Sequence, residues 1–215
     1  MALVVVVDYG MGNLRSVEKA LAHVGMADIV KVSGHPEDIE KADKIVFPGQ
    51  GAMPDCMKEL ASRRLIEPIR AASTEKPFLG ICIGLQLLFE RSEEGCVDGL
   101  GLLPGEVRKF SSNKLDDRGA KFKVPHMGWN TVDIRQAHPI FEGIDSDEYF
   151  YFVHSYFVEP VNSQIIVGKT GYINNFTSAV AHKNIVAVQF HPEKSQRAGL
   201  KILANFLGWD GCWSG

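Results

Sequence analysis

The sequence predicts an α/β protein: a three-layer, open, mostly parallel sheet with flanking helices, followed by extra antiparallel strands in the second half. Three observations lead to this. Residues 3–8 form a continuous apolar run rich in valine, the composition of a strand buried on both faces. In the first half, short apolar runs alternate with segments whose apolar residues recur at helical spacing. Strands separated by helices imply parallel pairing through right-handed crossovers. Between residues 105 and 190 the pattern changes to closely spaced strand-like runs broken by turn residues.

At 215 residues, with 45% hydrophobic and 23% charged residues, the chain is expected to form one domain spanning 1–215 with a sizeable core. A formal net charge of −3 gives no reason to expect a nucleic-acid or membrane partner. The apolar start has no basic leading segment and is too short for a signal or membrane span. The four cysteines, Cys56, Cys82, Cys96 and Cys212, show no C-x-x-C or zinc spacing. Free thiols in the cytosol are expected, with no metal and no cofactor.

After the first strand, Gly10-Met11-Gly12-Asn13 turns the chain. Asn13 is a candidate N-cap for a helix carrying Leu14, Val17, Leu21 and Val24. Lys44–Phe47 reads as a short strand. A helical region is expected from about Ala52, interrupted near Pro68. The next strand is 77–81, followed by a helix over 83–91 with Leu85, Leu88 and Phe89 on one face. In the second half, strands are expected at 107–110, 131–134, 149–158, 164–170, 178–181 and 185–190. A polar loop is expected at 111–121. The final helix spans 195–207 with Ala198, Ile202, Leu203 and Phe206 inward. The tail 208–215 is expected to be loose unless Trp209 and Trp213 dock.

Gly80-Ile81-Cys82-Ile83-Gly84 places a cysteine between glycines where a strand turns into a helix. Open α/β sheets bind substrates at the carboxyl ends of their strands. A nucleophile on such a sharp turn needs small neighbours, as in the G-x-S-x-G elbow, and a helix N-terminus favours thiolate over thiol. The Ile83 N–H is positioned as one oxyanion donor. Taken alone, Cys82 is explained better as a small buried thiol in a packed turn. Gln189-Phe190-His191-Pro192-Glu193 closes another apolar strand. Val186, Val188 and Phe190 share one face. If the extended conformation continues, His191 and Glu193 share the other. His191 is then a candidate base and Glu193 its orienting carboxylate. With seven histidines in the chain, a surface histidine beside a solvated glutamate is the competing reading.

A third strand ends at Phe47-Pro48-Gly49-Gln50-Gly51, whose glycines allow close backbone approach. The N–H of Gln50 or Gly51 is the candidate second oxyanion donor, and an ordinary tight turn is the alternative. Gly10-Met11-Gly12 is discounted as a dinucleotide loop because Arg15 stands at the third glycine position.

Cys82 in G-x-C-x-G, His191-Pro192-Glu193 and the 48–51 loop occur in a fixed order. In that combination the whole chain resembles the class I (triad) glutamine amidotransferases. Asp8-Tyr9-Gly10-Met11-Gly12-Asn13, Pro125-His126-Met127-Gly128-Trp129-Asn130, Tyr151-Phe152-Val153-His154-Ser155-Tyr156 and residues 189–195 are similar to the glutaminase subunits of imidazole glycerol phosphate synthases. The resemblance implies that Cys82 attacks the side-chain amide of glutamine, forms a γ-glutamyl thioester and releases ammonia. Water then frees glutamate, with His191 and Glu193 as base and orienter.

The same resemblance implies substrate contacts from Gly49, Gln86, Ser155 and Tyr156. It implies a (β/α)8-barrel cyclase subunit as partner, which uses the ammonia in histidine biosynthesis. Asn13, Met127, Trp129 and Lys194 match positions at or near that interface. A sealed passage suits the chemistry, because free ammonia is mostly protonated at neutral pH and then not nucleophilic. Read from the residues alone, Met127 and Trp129 suit an interface or a core beside a strand equally. Lys194 is either a salt bridge to the partner or a plain solvated lysine, and the resemblance favours the former. Position 50 carries Gln where a small aliphatic residue is expected in many relatives, which bears on how readily the loop adopts its active shape. The rival readings are a glutaminase feeding another synthase, such as one making pyridoxal phosphate, a cysteine peptidase or esterase, and a non-catalytic docking protein. The last should have lost one of Cys82, His191 or Glu193.

Overall fold

The computed structural model describes residues 2–25, 29–111, 115, 119, 121–146 and 148–214. Strands and helices alternate through the first part: β1 (Val4–Val7), α1 (Leu14–Val24), β2 (Val30–Ser33), α2 (Pro36–Lys41), β3 (Lys44–Phe47), α3 (Met53–Ser62), α4 (Ile66–Glu75), β4 (Phe78–Ile81) and α5 (Ile83–Gln86). Strands then dominate: β5 (Phe89–Ser92), β6 (Val97–Asp98), β7 (Leu103–Lys109), β8 (His126–Thr131), β9 (Asp133–Ile134), β10 (Tyr149–His154), β11 (Tyr156–Pro160), β12 (Ile166–Gly171), β13 (Asn175–His182) and β14 (Ile185–Val188). Helix α6 (Gln196–Gly208) closes the fold.

The main sheet runs β2-β1-β3-β4-β14-β13-β11-β7-β5-β6, with β12 on β13 and β9 on β12. Its first five strands are parallel, and beyond β14 the pairing turns antiparallel except where β7 and β5 run parallel. Alternation along each parallel strand separates two cores. Val4, Val6, Val46, Leu79, Ile81, Val186 and Val188 pack under α1 and α6. Val5, Val7, Ile45, Phe47, Phe78, Ile185 and Ala187 pack under α2, α3 and α4. Side chains on successive strand residues point to opposite faces, so runs such as Val4–Val7 serve both layers at once. The α/β architecture with a parallel first half, flanking helices and an antiparallel second half is the one the sequence predicts, but the antiparallel strands join the same sheet, which is therefore mixed rather than mostly parallel.

The step that positions the site is the return of β14 to lie parallel beside β4, with Val188 opposite Ile81. Residues more than a hundred positions apart thereby end side by side. The Cys82 N–H donates to the Val188 carbonyl at 2.8 Å, so the two strand ends are tied where their chains diverge.

Several local expectations differ from the structure. The helix predicted over 83–91 stops at Gln86, and Phe89 instead opens β5, which pairs parallel with β7. Leu85, Leu88 and Phe89 have helical spacing, but all three are buried by tertiary packing rather than on one helix face. The break in the helical region falls at Arg64, in a left-handed conformation with φ of 58°. Pro68 is accommodated in the first turn of α4, where no helical N–H is missed.

Asn13 stands at the N-cap of α1, but its side chain makes no cap hydrogen bond. The expected strand 149–158 divides at Ser155 into β10, which pairs with β8 in a separate two-stranded ribbon, and β11, which belongs to the main sheet. The strand expected at 131–134 is reduced to β9, because 126–131 pairs with β10. The tail docks: Trp209 is buried, its indole donating to Cys212, and the Trp213 indole donates to the Ala137 carbonyl. Of the expected loop 111–121, residues 112–114, 116–118 and 120 lie outside the described residues. Strands β2, β5, β6 and β8 and helix α2 have no counterpart among the predicted elements, β8 meeting the expected 131–134 only at Thr131.

Candidate active site

Cys82 occupies the turn between β4 and α5 with φ of 57° and ψ of −111°. A left-handed backbone is costly for a residue with a Cβ, and the surroundings hold it there. Its N–H is bonded to Val188, and its carbonyl accepts from the Leu85 N–H at 3.0 Å. The flanking glycines are required by contact. A Cβ on Gly84 would collide with the Phe47 carbonyl, and one on Gly80 would press on Ala187 and the Gly84 backbone. The turn thus packs directly against β3 and β14, and the cysteine side chain faces a cleft.

That cleft has a volume of about 470 Å³. Cys82, Ile83, Gln86, Gln50, Gly51, Ser155, Tyr156, His191 and Lys194 all line it, together with Glu94, Pro125, Tyr151, Val153 and His154. Of the triad, oxyanion and substrate positions expected from the sequence, all line it except Glu193, which is buried behind His191, and Gly49. Gly49 is buried behind the cleft, where a Cβ would overlap the Tyr9 hydroxyl and Ile83. It holds the loop rather than lining the cleft. Asn13 is exposed at the start of α1 and does not line the cleft.

The extended conformation expected after β14 does not continue. Residues Pro192–Lys194 form a single 3-10 turn, and this curl brings His191 Nδ1 within 2.9 Å of Glu193 Oε1. The pair is almost sealed, with side chains 8% and 2% exposed. The His191 backbone is fixed on both sides. Its N–H donates to the Tyr151 carbonyl at 2.9 Å, and its carbonyl accepts from Ser195 Oγ at 2.6 Å. Ser195 Oγ in turn accepts from the Tyr151 N–H at 3.0 Å. Sequence reasoning missed this role of Ser195, whose only signal is its place two residues beyond Glu193.

Burial by itself would discharge the His191 ring. Attraction to the Cys82 sulfur in front, with the hydrogen bond and charge of Glu193 behind, outweighs burial and holds the ring up to about 10. Nε2 is buried and closes no hydrogen bond of standard geometry, and the same is true of Glu193 Oε2. Nδ1 is engaged by the carboxylate, so Nε2 is the nitrogen left for proton exchange with the sulfur.

Two hydrogen-bond networks were not anticipated. Gln189, fully buried, donates from Nε2 to Cys82 Sγ at 3.8 Å. Gln86 Nε2 donates both to Gln189 Oε1 at 3.0 Å and to the Tyr156 carbonyl at 3.1 Å. Behind the 48–51 loop, the Tyr9 hydroxyl donates to Cys56 Sγ and Cys56 Sγ donates to the Gln50 carbonyl at 3.7 Å. Burial pushes the Cys56 thiol up to about 11, so it stays a neutral donor.

The exposed apolar side chains include Met127, Trp129 and Tyr149, at 62%, 45% and 58% exposure. In the ribbon, Met127 is opposite Val153 and Trp129 opposite Tyr151. Val153 and Tyr151 line the cleft. The apolar patch and the cleft wall are thus one continuous surface, and the core reading of Met127 and Trp129 does not hold. Lys194 Nζ lies 5.8 Å over the Tyr151 ring at the same edge. Among the described residues no group of three His, Cys, Asp or Glu side chains is placed to hold a metal ion, and no helix is long and apolar enough to cross a membrane.

A buried nucleophile, a carboxylate-bound histidine and a lined cleft define a cysteine-based acyl-transfer site on a class-I amidotransferase fold. The family model described as glutamine amidotransferase class-I matches residues 5–208, and the chain belongs to that family. Relatives resolve it further. The protein named imidazole glycerol phosphate synthase subunit HisH of Aromatoleum aromaticum is 57% identical over 97% of this chain and 99% of its own. That of Nitrosospira multiformis is 54% identical over the same shares. Within the family, then, the chain groups with the HisH subunits. Among solved structures, a crystal structure of a glutamine amidotransferase matches with a TM-score of 0.73 at 17% identity, covering 96% of this chain and all of that one. The structure of PurLQS from Thermotoga maritima matches with 0.72 at 19% identity, covering 97% and 99%. At such identities these two speak to the fold.

Proposed function

We propose that this chain is a glutaminase subunit that hydrolyses glutamine to glutamate and ammonia and delivers the ammonia to a (β/α)8-barrel cyclase in histidine biosynthesis. The observation that carries the chemistry is the buried His191–Glu193 pair on the strand end beside Cys82. Cys82 Sγ attacks the γ-amide carbon of glutamine. His191 holds the thiol proton and passes it to the departing nitrogen, so that ammonia leaves and a γ-glutamyl thioester remains. His191 then takes a proton from water as it attacks the thioester, and glutamate leaves with the sulfur restored. Glu193 keeps the ring oriented and charged through both halves. The Ile83 N–H, with that of Gln50 or Gly51, is suited to the oxyanion of each tetrahedral intermediate.

Gln86, Ser155 and Tyr156 supply polar groups for the amino-acid end of the substrate, and Glu94, the acidic side chain lining the cleft, suits its α-ammonium. The partner reading is supported by the apolar surface of Met127 and Trp129, which runs into the cleft wall. A protein seated there would cap the mouth and keep ammonia out of water. Cytosolic residence accords with this pathway.

The test is Cys82→Ala assembled with the cyclase. Glutamine-dependent product formation is expected to vanish, while an ammonium salt still supports the cyclase. Normal glutamine hydrolysis by the variant would refute the assignment.

A further inference from the structure

Gln189 lies in neither the substrate cleft nor the triad, yet its side chain points at the nucleophile from within the core. We propose that Gln189 is a further catalytic residue: its carboxamide N–H donates to Cys82 Sγ and stabilises the sulfur as negative charge collects on it. This deepens the glutaminase reading and rests on Cys82 being the nucleophile.

The orientation of the carboxamide follows by elimination. A backbone carbonyl can only accept, so Gln86 must present its NH2 group to the Tyr156 oxygen. Its other hydrogen goes to Gln189, which must therefore present Oε1 there. Gln189 Nε2 is then the atom left facing Cys82 Sγ at 3.8 Å. Reversing either amide would set donor against donor or acceptor against acceptor in a region where Gln86 is 3% and Gln189 0% exposed, which a buried network tolerates poorly.

An N–H···S contact of this length is weak while the sulfur carries its proton. It strengthens when the acceptor becomes charged, because charge-assisted bonds are shorter and stronger than neutral ones. The gain thus falls on the charged sulfur and not on the neutral thiol, so the contact favours the form of Cys82 that attacks. In the step it serves, the thiol proton is already on His191, the electron pair left on Cys82 sulfur forms the bond to the substrate carbonyl carbon, and the C=O π pair moves onto the carbonyl oxygen. Gln189 keeps both its protons and contributes only the N–H dipole.

The donor's aim depends on the substrate segment. The Tyr156 carbonyl that orients Gln86 also accepts from His154 Nδ1 at 2.8 Å. Neutral His154 then accepts at Nε2 from His126 Nδ1 at 3.0 Å. The chain from Tyr156 through Gln86 to Gln189 therefore ties the sulfur's environment to the backbone that holds glutamine.

The experiment compares Gln189→Met, which keeps length without a donor, with Gln189→Glu, which keeps shape but puts carboxylate oxygens at the sulfur. Both are assayed in the complex with the cyclase for glutamine hydrolysis. Cys82 alkylation by iodoacetamide is measured by peptide mass, and folding by thermal melt. Losing a hydrogen bond to a charged atom is expected to lower kcat and the alkylation rate of Gln189→Met about tenfold. KM for glutamine should stay within about twofold, and Gln189→Glu should be slower still. Should the substitutions unfold the core, Gln86→Leu releases Gln189 without replacing it, and slowed alkylation is again expected. Wild-type alkylation in the folded variants, or Glu outperforming Met as packing alone would dictate, overturns the proposal. Cys82→Ala run alongside separates the two claims. Hydrolysis surviving in that variant refutes the nucleophile itself, whereas an inactive Cys82→Ala with unaltered alkylation in the others refutes only Gln189.

Discussion

At the residue scale, position sets Cys82 apart from the other three cysteines. Cys56 is equally hidden, but it sits among α3 side chains where burial raises its thiol to about 11. Cys82 instead faces a histidine whose ring is held protonated. The carboxylate behind the ring is the inexpensive part to test. Glu193→Gln keeps the shape and the contact to Nδ1 but removes the charge that favours the imidazolium. A fall in kcat of about a hundredfold or more is expected, with the fold intact by circular dichroism; an unchanged kcat would leave Glu193 a structural residue. Gly84→Ala tests the turn itself. Its added Cβ meets the Phe47 carbonyl, and overpacking of this kind destabilises by about 1–3 kcal/mol, to be read as a lowered denaturation midpoint. That Cys82, His191 and Glu193 would come together was legible in the sequence, because glycine spacing and a proline-terminated strand are local signals. Gln189 and Ser195 were not, since their roles depend on which partner they reach across the fold.

At the element scale, the ribbon of β8 and β10 joins the apolar patch to His191. One face of the ribbon carries Met127 and Trp129 beside Val153 and Tyr151. Tyr151 also holds the His191 backbone through its carbonyl and, through its N–H, Ser195. Trp129→Ala is expected to weaken association with the cyclase by about 2 kcal/mol, as for an aromatic anchor in an interface. Titration calorimetry would show it, and equal affinities would remove the ribbon from the interface. This element was illegible in the sequence. The run 149–158 is aromatic and apolar on both sides of His154-Ser155, so nothing local marks the break at Ser155 that separates β10 from β11 of the main sheet. The helix expected after Cys82 failed for a similar reason: helical spacing and burial in a tertiary core look alike over so short a stretch.

At the scale of the molecule, the parallel sheet brings two distant strand ends together, and the pattern of apolar runs was enough to predict that architecture. The same compactness buries histidines whose titration shapes stability. Burial lowers His126 and His138 to about 4 and His154 to about 3, from an ordinary 6.5. A lowered folded value means the unfolded chain takes up protons first as pH falls. The contribution is present above about 6.5 and is lost progressively down to the folded values. His191 is raised, so its contribution is full below 6.5 and is lost as pH rises toward about 10. The melting temperature is accordingly expected to fall between pH 6.5 and 4. His138→Asn, which can still accept the Ile140 N–H that His138 Nδ1 accepts, should flatten part of that fall; an unchanged slope would mean the buried ring does not drive it.

The central claim is that Cys82 carries the acyl group. Quenching the complex during glutamine turnover and mapping its peptides by mass tests this directly. A glutamyl adduct on the Cys82 peptide, absent when Cys82 is replaced by Ser, is the predicted result. An adduct on Cys56, Cys96 or Cys212, or undiminished turnover by Cys82→Ser, would contradict it.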